Sequence, residues 1–218
     1  MDADVFNLQS YPPAVPVEDA GPSLKESWSY RRRIPLSAVS LLASLALALW
    51  QGPAQWNDPR ATLALWLAGW GLLLGGVLLR LWATMCLGGR KSREVIDVGP
   101  YSLCRNPLYV GTLMLAVAQV GFYQNAWILV GLIGPILLYV YGVVPSEERK
   151  LLEKLGAPYA NYCQRTPRWM PRFSGFASAR LIESTASRSF RLELARCAIW
   201  LALPALAHLL TTVSAAWR

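Results

Sequence analysis

Long stretches without Asp, Glu, Lys or Arg are the main feature of the hydrophobic pattern along this chain. They cover residues 34–57, 61–79, 106–146 and 197–217. A helix needs about 20 apolar residues to cross a membrane, and each stretch is close to that length or longer. The third is about twice as long, so it is predicted to hold two spans that fold back at Tyr123-Gln124-Asn125. We therefore predict an all-α integral membrane protein with about five transmembrane helices, at about 35–51, 61–82, 108–123, 126–144 and 196–214.

The distribution of basic residues predicts the orientation of these spans. If the N-terminus is cytoplasmic, then all of the 21 Lys and Arg residues except Arg60 and Arg218 lie on the cytoplasmic side. The composition agrees with a membrane protein, since 54% of residues are hydrophobic and only 16% are charged. The net charge of +8 then indicates contact with anionic lipid heads and not with nucleic acid. We expect a bacterial-type inner membrane or an equivalent membrane.

Three regions are predicted along the chain. Residues 1–33 are a proline-rich, disordered segment with a basic end, and the first apolar run starts too late for a cleaved signal peptide. Residues 34–172 form the membrane core and include a cytosolic helix at 146–156. Residues 173–218 are a basic linker and the fifth span. The four cysteines show no metal spacing and are expected to be free thiols, and no metal site is predicted.

Two cytoplasmic segments carry the candidate chemistry. In residues 98–111, Pro107 opens the third span and holds Arg105 beside a helix N-terminus, which suits an anionic group. In residues 145–162, Ser146 is predicted to cap a helix with Glu147 and Glu148 in its first turn. An ordinary helix start with a snorkelling arginine, and acids that merely favour a helix N-terminus, remain alternatives at this point. No nucleophile triad, Walker loop or Gly-rich turn of a Rossmann fold is present in the sequence.

The two segments together resemble a known family. Gly99-Pro-Tyr101, Arg105-Asn-Pro-Leu-Tyr109-Val-Gly111 and Glu147-Glu-Arg, followed by Tyr159, Tyr162 and Thr166-Pro-Arg168, are similar to the isoprenylcysteine carboxyl methyltransferase family. The wider group includes bacterial phospholipid N-methyltransferases. The resemblance covers about residues 61–172. It departs from the family at Asn106, where the eukaryotic enzymes have His, and in the extension beyond Pro171.

The resemblance implies an S-adenosylmethionine site at the cytoplasmic face and methyl transfer to a lipid-like acceptor. The residues that it implies as catalytic are Arg105, Tyr109 and Glu148. Those that it implies as cofactor-binding are Arg105, Asn106, Pro107, Tyr109, Gly111, Glu147, Glu148, Arg149, Tyr159, Tyr162 and Arg168. Membrane lipids are the other expected partners, and spans two and five are the candidate surfaces for a homo-oligomer.

Other functions remain open from the sequence. A phospholipid N-methyltransferase is the nearest alternative, followed by a sterol-reductase-like enzyme that uses NADPH and by a non-enzymatic membrane scaffold or transporter. Against transport, the predicted spans contain no Asp, Glu, Lys or Arg apart from Arg80 at the edge of one span. The Gly71–Gly75 step in the second span is expected to serve close helix packing. Gly134-Pro135 is expected to kink the fourth span.

Overall fold

The computed structural model describes residues 28–52, 58–88, 94–173 and 188–216, and all regular elements within them are helices. Residues 1–27 of the predicted disordered segment and most of the basic linker therefore lie outside the described residues. The prediction of disorder is wrong for residues 28–33, which form the start of the first helix. The helices are α1 (Trp28–Gln51), α2 (Pro59–Leu87), α3 (Pro100–Leu103), α4 (Pro107–Tyr123), α5 (Ala126–Leu137), α6 (Val144–Leu155), α7 (Ala157–Arg165) and α8 (Arg188–Ala216). A π-helical turn, Leu138–Val143, joins α5 to α6 without a break.

Within the described residues, four helical segments are long and apolar enough to cross a membrane. They are Ile34–Gln51, Pro59–Leu87, the continuous helix Ala126–Leu155 and Ser189–Leu210. The remaining apolar helix, α4, has 17 residues. The predicted all-α architecture with membrane-spanning helices is thus confirmed, and four of the five expected spans have the length for it.

Close approach of α2 and α4 forms the centre of the fold. A Cβ added at Gly76 would lie 3.0 Å from the Gly111 carbonyl oxygen, and one at Gly121 would lie 2.5 Å from the Leu65 carbonyl oxygen. Glycine is therefore required where the two backbones meet. The predicted packing step is wrong for Gly71, which faces open space. Helix α8 completes this core, because Cys197 packs with Leu73, Val77, Leu115 and Ala118.

A polar hairpin turn joins α4 to α5 where the sequence predicted a fold-back. Gln124 has a left-handed conformation with a φ of 46°, which ends α4. The Asn125 side chain accepts a hydrogen bond from the Trp127 amide at 2.9 Å and donates one to the Gly52 carbonyl at 2.6 Å. Asn125 therefore caps α5 and also ties the hairpin to the end of α1.

Two predicted helix starts are wrong. Ser146 does not cap a separate cytosolic helix, because its hydroxyl donates to the Gly142 carbonyl at 2.6 Å inside a continuous helix. The fifth span was predicted from residue 196, but α8 already begins at Arg188. Glu193, which the prediction left outside the span, is buried against Arg80 within the helix bundle. The expected end of the cytosolic helix at Gly156 is confirmed, with a φ of 60° that favours glycine.

Candidate functional site

A buried carboxylate, Glu148, lies where the two predicted segments meet. Its Oε1 accepts a hydrogen bond from Asn106 Nδ2 at 2.9 Å, and its Oε2 accepts from Arg168 Nε at 2.9 Å and Nη2 at 2.7 Å. Arg105 Nε lies 3.6 Å from Oε1, which is an ion pair but too long for a hydrogen bond. The Glu148 residue is only 7% exposed. The structure thus brings three separate parts of the sequence onto one carboxylate.

Backbone contacts hold the donors of this cluster in place. Pro107 begins α4, so Arg105 and Asn106 come directly before its first turn. The Arg105 amide donates to the Pro167 carbonyl at 2.9 Å, and the Arg172 amide donates to the Leu103 carbonyl at 3.0 Å. The segment after α7 therefore runs alongside the α3–α4 connection, which places Arg168 opposite Asn106. This pairing could not be read from the sequence spacing.

The pKa of the Arg105 guanidinium is set by burial, by Cys163 and by Glu148. Burial alone lowers the pKa of this guanidinium, but the hydrogen bond with the Cys163 side chain and the charge of Glu148 outweigh it, and the pKa is raised. Its Nε is nevertheless buried without a hydrogen-bond partner. Arg105 is therefore a fixed cation with one N–H group still to be satisfied.

Two tyrosines of α7 form one wall of the site. Burial is the main cause that raises the pKa of both Tyr159 and Tyr162, so their phenols stay protonated at neutral pH. The Tyr162 hydroxyl can then donate, and it does so to the Tyr101 carbonyl at 2.7 Å. This bond fixes α7 against α3. The wall is a rigid support for the cluster around Glu148.

A cleft of about 100 Å³ opens beside this cluster. The predicted site residues that line it are Arg105, Asn106, Pro107, Tyr109, Glu147, Glu148, Tyr159 and Tyr162. Arg168 reaches Glu148 from the rim, and its side chain is 42% exposed. Arg149 is exposed to solvent, and Gly111 faces Arg80 and α2, so neither of these two lines the cleft.

One polar contact was missed by the sequence reasoning. Glu193 of α8 forms an ion pair with Arg80 of α2 at 2.6 Å, and both side chains are largely buried. The statement that Arg80 alone carries charge within the spans is therefore wrong. The signal was present, because Glu193 lies one helical turn before Cys197 and between Leu192 and Leu194.

Thiols and carboxylates do not gather into a larger cluster in the part of the chain that the structure describes. Within those ranges, no three His, Cys, Asp or Glu side chains are placed to hold a metal ion. Cys86, Cys104 and Cys197 are buried thiols, whereas Cys163 is partly exposed beside the cleft. Burial raises the pKa of the Cys104 thiol.

Comparison with known proteins gives two relatives named for metal resistance. The chain is 32% identical over 159 residues to the nickel-cobalt-cadmium resistance protein NccN of Alcaligenes xylosoxydans xylosoxydans, which covers 73% of this chain and 74% of that protein. It is 32% identical over 134 residues to the cobalt-zinc-cadmium resistance protein CzcN of Cupriavidus metallidurans, covering 62% of this chain and 60% of that protein. No family model matches the chain. No solved structure matches it either.

These relatives correct the function predicted from the two motifs. The prediction was an S-adenosylmethionine-dependent methyltransferase acting on a lipid-like acceptor, with phospholipid N-methylation or sterol-like reduction as alternatives. Both relatives are named for metal resistance, and the identity extends over most of the chain rather than over two short segments. The predicted function is therefore wrong, and the similarity points to metal resistance. The names do not bear on S-adenosylmethionine binding, which stays a prediction.

Proposed function

Because this chain belongs to the family of the nickel-cobalt-cadmium resistance protein NccN, we propose that it takes part in bacterial resistance to nickel, cobalt, cadmium or zinc. The observation that carries this proposal is the 32% identity to NccN over 73% of the chain. The similarity to CzcN, a cobalt-zinc-cadmium resistance protein, supports the same role. The two relatives share cobalt and cadmium in their names, so these two metals are the first to test.

We place the working site of the protein at the cleft beside Glu148. Desolvating charged groups is costly, and here a carboxylate that is 7% exposed is held by two arginines and an amide. Groups with perturbed pKa values cluster at functional sites, and Arg105, Tyr159 and Tyr162 at this cleft are such groups. The Nε of Arg105, which is ion-paired with Glu148 but makes no hydrogen bond, supports this placement, because a bound ligand could supply an acceptor.

The charges of the cleft favour a small ligand that carries both signs of charge. Arg105 and Arg168 together carry one positive charge more than Glu148 neutralises, while Glu147 at the lining carries a carboxylate. A cleft of about 100 Å³ is smaller than the roughly 300 Å³ or more of most ligand sites. A cofactor as large as S-adenosylmethionine would therefore need the Arg168 segment to move outward.

We also propose the arrangement of the chain in the membrane. Helix α4 has 17 residues, the lower limit for a transmembrane helix, and it packs along α2, so it is proposed as the fifth span. The excess of Lys and Arg on one side of the bundle supports a cytoplasmic N-terminus and a cytoplasmic cleft. The predicted homo-oligomer through spans two or five stays a prediction.

The test is metal tolerance in a metal-sensitive bacterial host. Expression of the chain should raise the inhibitory concentration of cobalt or cadmium, and Glu148→Gln should reduce that gain at equal membrane content. Glu153→Gln is the matched control, because Glu153 lies on the same helix α6 but is exposed to solvent. A host that gains no tolerance to any of the four metals, although the protein is in its membrane, would refute the proposed role.

A further inference from the structure

A buried ion pair links α8 to the core of the bundle. Arg80 Nε and Glu193 Oε1 are 2.6 Å apart, and the two side chains are 13% and 4% exposed. Glu193 lies inside Ser189–Leu210, one of the segments able to cross a membrane. Ionisable residues at such positions are costly and are usually retained for a purpose. Arg80 also contacts the start of α4.

Arg80 also donates hydrogen bonds to residues at the start of α4. Its Nη1 donates to the Leu108 carbonyl at 3.0 Å and to the Thr112 hydroxyl. The Thr112 hydroxyl in turn donates to the Leu108 carbonyl at 2.8 Å. Gly111 leaves room for this approach, since a Cβ there would lie 2.6 Å from Arg80 Cγ. Arg80 is therefore packed directly onto the start of α4.

The start of α4 is also the part of the helix that serves the cleft. Leu108 and Tyr109 line the cleft, and Arg105 and Asn106 precede them by only a few residues. Polar contacts thus run from Glu193 to Arg80 and to the first turn of α4, and the backbone at the start of α4 carries Asn106, which bonds to Glu148. We propose that Glu193 is a positioning residue for the cleft: it fixes Arg80, which fixes the helix end that presents Arg105 and Asn106.

This proposal rests on the proposed function only in taking the cleft as the working site. It gives α8 a role that simple membrane anchoring does not, because an anchor needs apolar length and no buried carboxylate. A path for metal cations along Glu193 and Cys197 is not favoured, since the Arg80 guanidinium occupies the carboxylate and repels cations.

The experiment uses the reactivity of Cys163, the partly exposed thiol beside Arg105, to report changes in the structure of the cleft. Membranes carrying the full chain are treated with N-ethylmaleimide, and the rate of Cys163 modification is measured by mass spectrometry. Glu193→Gln keeps the shape of the side chain but removes its charge, and Thr112→Val removes the hydroxyl that Arg80 contacts. Arg196→Gln is the control, because Arg196 also pairs with Glu193, at 3.3 Å, but its side chain is 64% exposed.

We expect Glu193→Gln and Thr112→Val each to change the rate at Cys163 by roughly two- to thirtyfold, the range for a modest loss of coupling between sites. Arg196→Gln should leave that rate unchanged. If Glu193→Gln fails to accumulate, Thr112→Val alone decides the matter. Unchanged rates in the accumulating variants would overturn the positioning role while leaving metal resistance intact. Conversely, absent metal tolerance in the wild-type chain would refute the proposed function without affecting the labelling result.

Discussion

Replacing Glu148 by Gln removes the charge on which two arginines and one amide converge. A hydrogen bond with a charged partner contributes about 1.5–3 kcal/mol when buried. The share of Arg168 is smaller, about 1 kcal/mol or less, because its side chain is 42% exposed and solvent screens the pair. Arg105, with a side chain only 13% exposed, loses its counter-charge and accounts for about 1–2 kcal/mol. An amide in place of the carboxylate can still accept a hydrogen bond from Asn106, so mainly the two arginine contributions are lost, and we expect Glu148→Gln to lower the free energy of unfolding by about 2–3 kcal/mol.

The assay is thermal unfolding of purified protein in detergent, followed by circular dichroism at one fixed scan rate. For a chain of this length, each kcal/mol corresponds to a midpoint shift of about 2–4 °C, so a decrease of roughly 4–12 °C is expected. Glu153→Gln, an exposed change on the same helix, should stay close to the wild type. A midpoint for Glu148→Gln within about 2 °C of the wild type would show that the cluster contributes little to stability.

Three further predictions follow from other parts of the molecule. Gly121→Ala should destabilise the α2–α4 contact by about 1–3 kcal/mol, because the new methyl group meets the Leu65 carbonyl oxygen, whereas Gly71→Ala should be neutral in the same thermal assay. Cysteines introduced at Arg60 and Ala157, both exposed, should be labelled by an impermeant maleimide from opposite sides of the membrane; labelling from one side would contradict the proposed topology. Calorimetric titration with S-adenosylmethionine should show binding at the cleft, and absence of any heat would remove this cofactor from consideration.

Much of the fold could be predicted from the sequence because length and apolarity alone determine where a chain can cross a membrane. The break at Gln124 and Asn125 was visible as two polar residues between apolar runs, and it is a capped turn. Helix ends were less predictable. Serine is a common N-cap residue, which favoured a helix start at Ser146. Nothing in the local sequence shows that the preceding helix continues through this position.

The candidate site was only partly predictable, because several of its contacts join residues that are far apart in the sequence. The meeting of Asn106 with Glu148 could be anticipated, since both lie at one end of adjacent apolar helices. The contact of Arg168 with Glu148 depends on the hydrogen bond between the Arg105 amide and the Pro167 carbonyl. The hydrophobic pattern of the sequence does not predict this bond. Glu193 was left outside the fifth span because that span was predicted from the charge-free residues 197–217. Its partner Arg80 lies far away in the sequence, so the neutralisation of the Glu193 charge is visible only in the folded structure.

The π-helical turn between α5 and α6 sets the direction in which Glu148 points. Such a turn holds one residue more than an α-helical turn over nearly the same length. If the same six residues, Leu138–Val143, took regular α-helical geometry, the helix would lengthen by only one residue's rise of roughly 1.5 Å. Everything beyond it would then rotate by about 100° about the helix axis. Glu148 would turn away from Asn106 and Arg168, so a change that hydropathy cannot detect would dismantle the cleft.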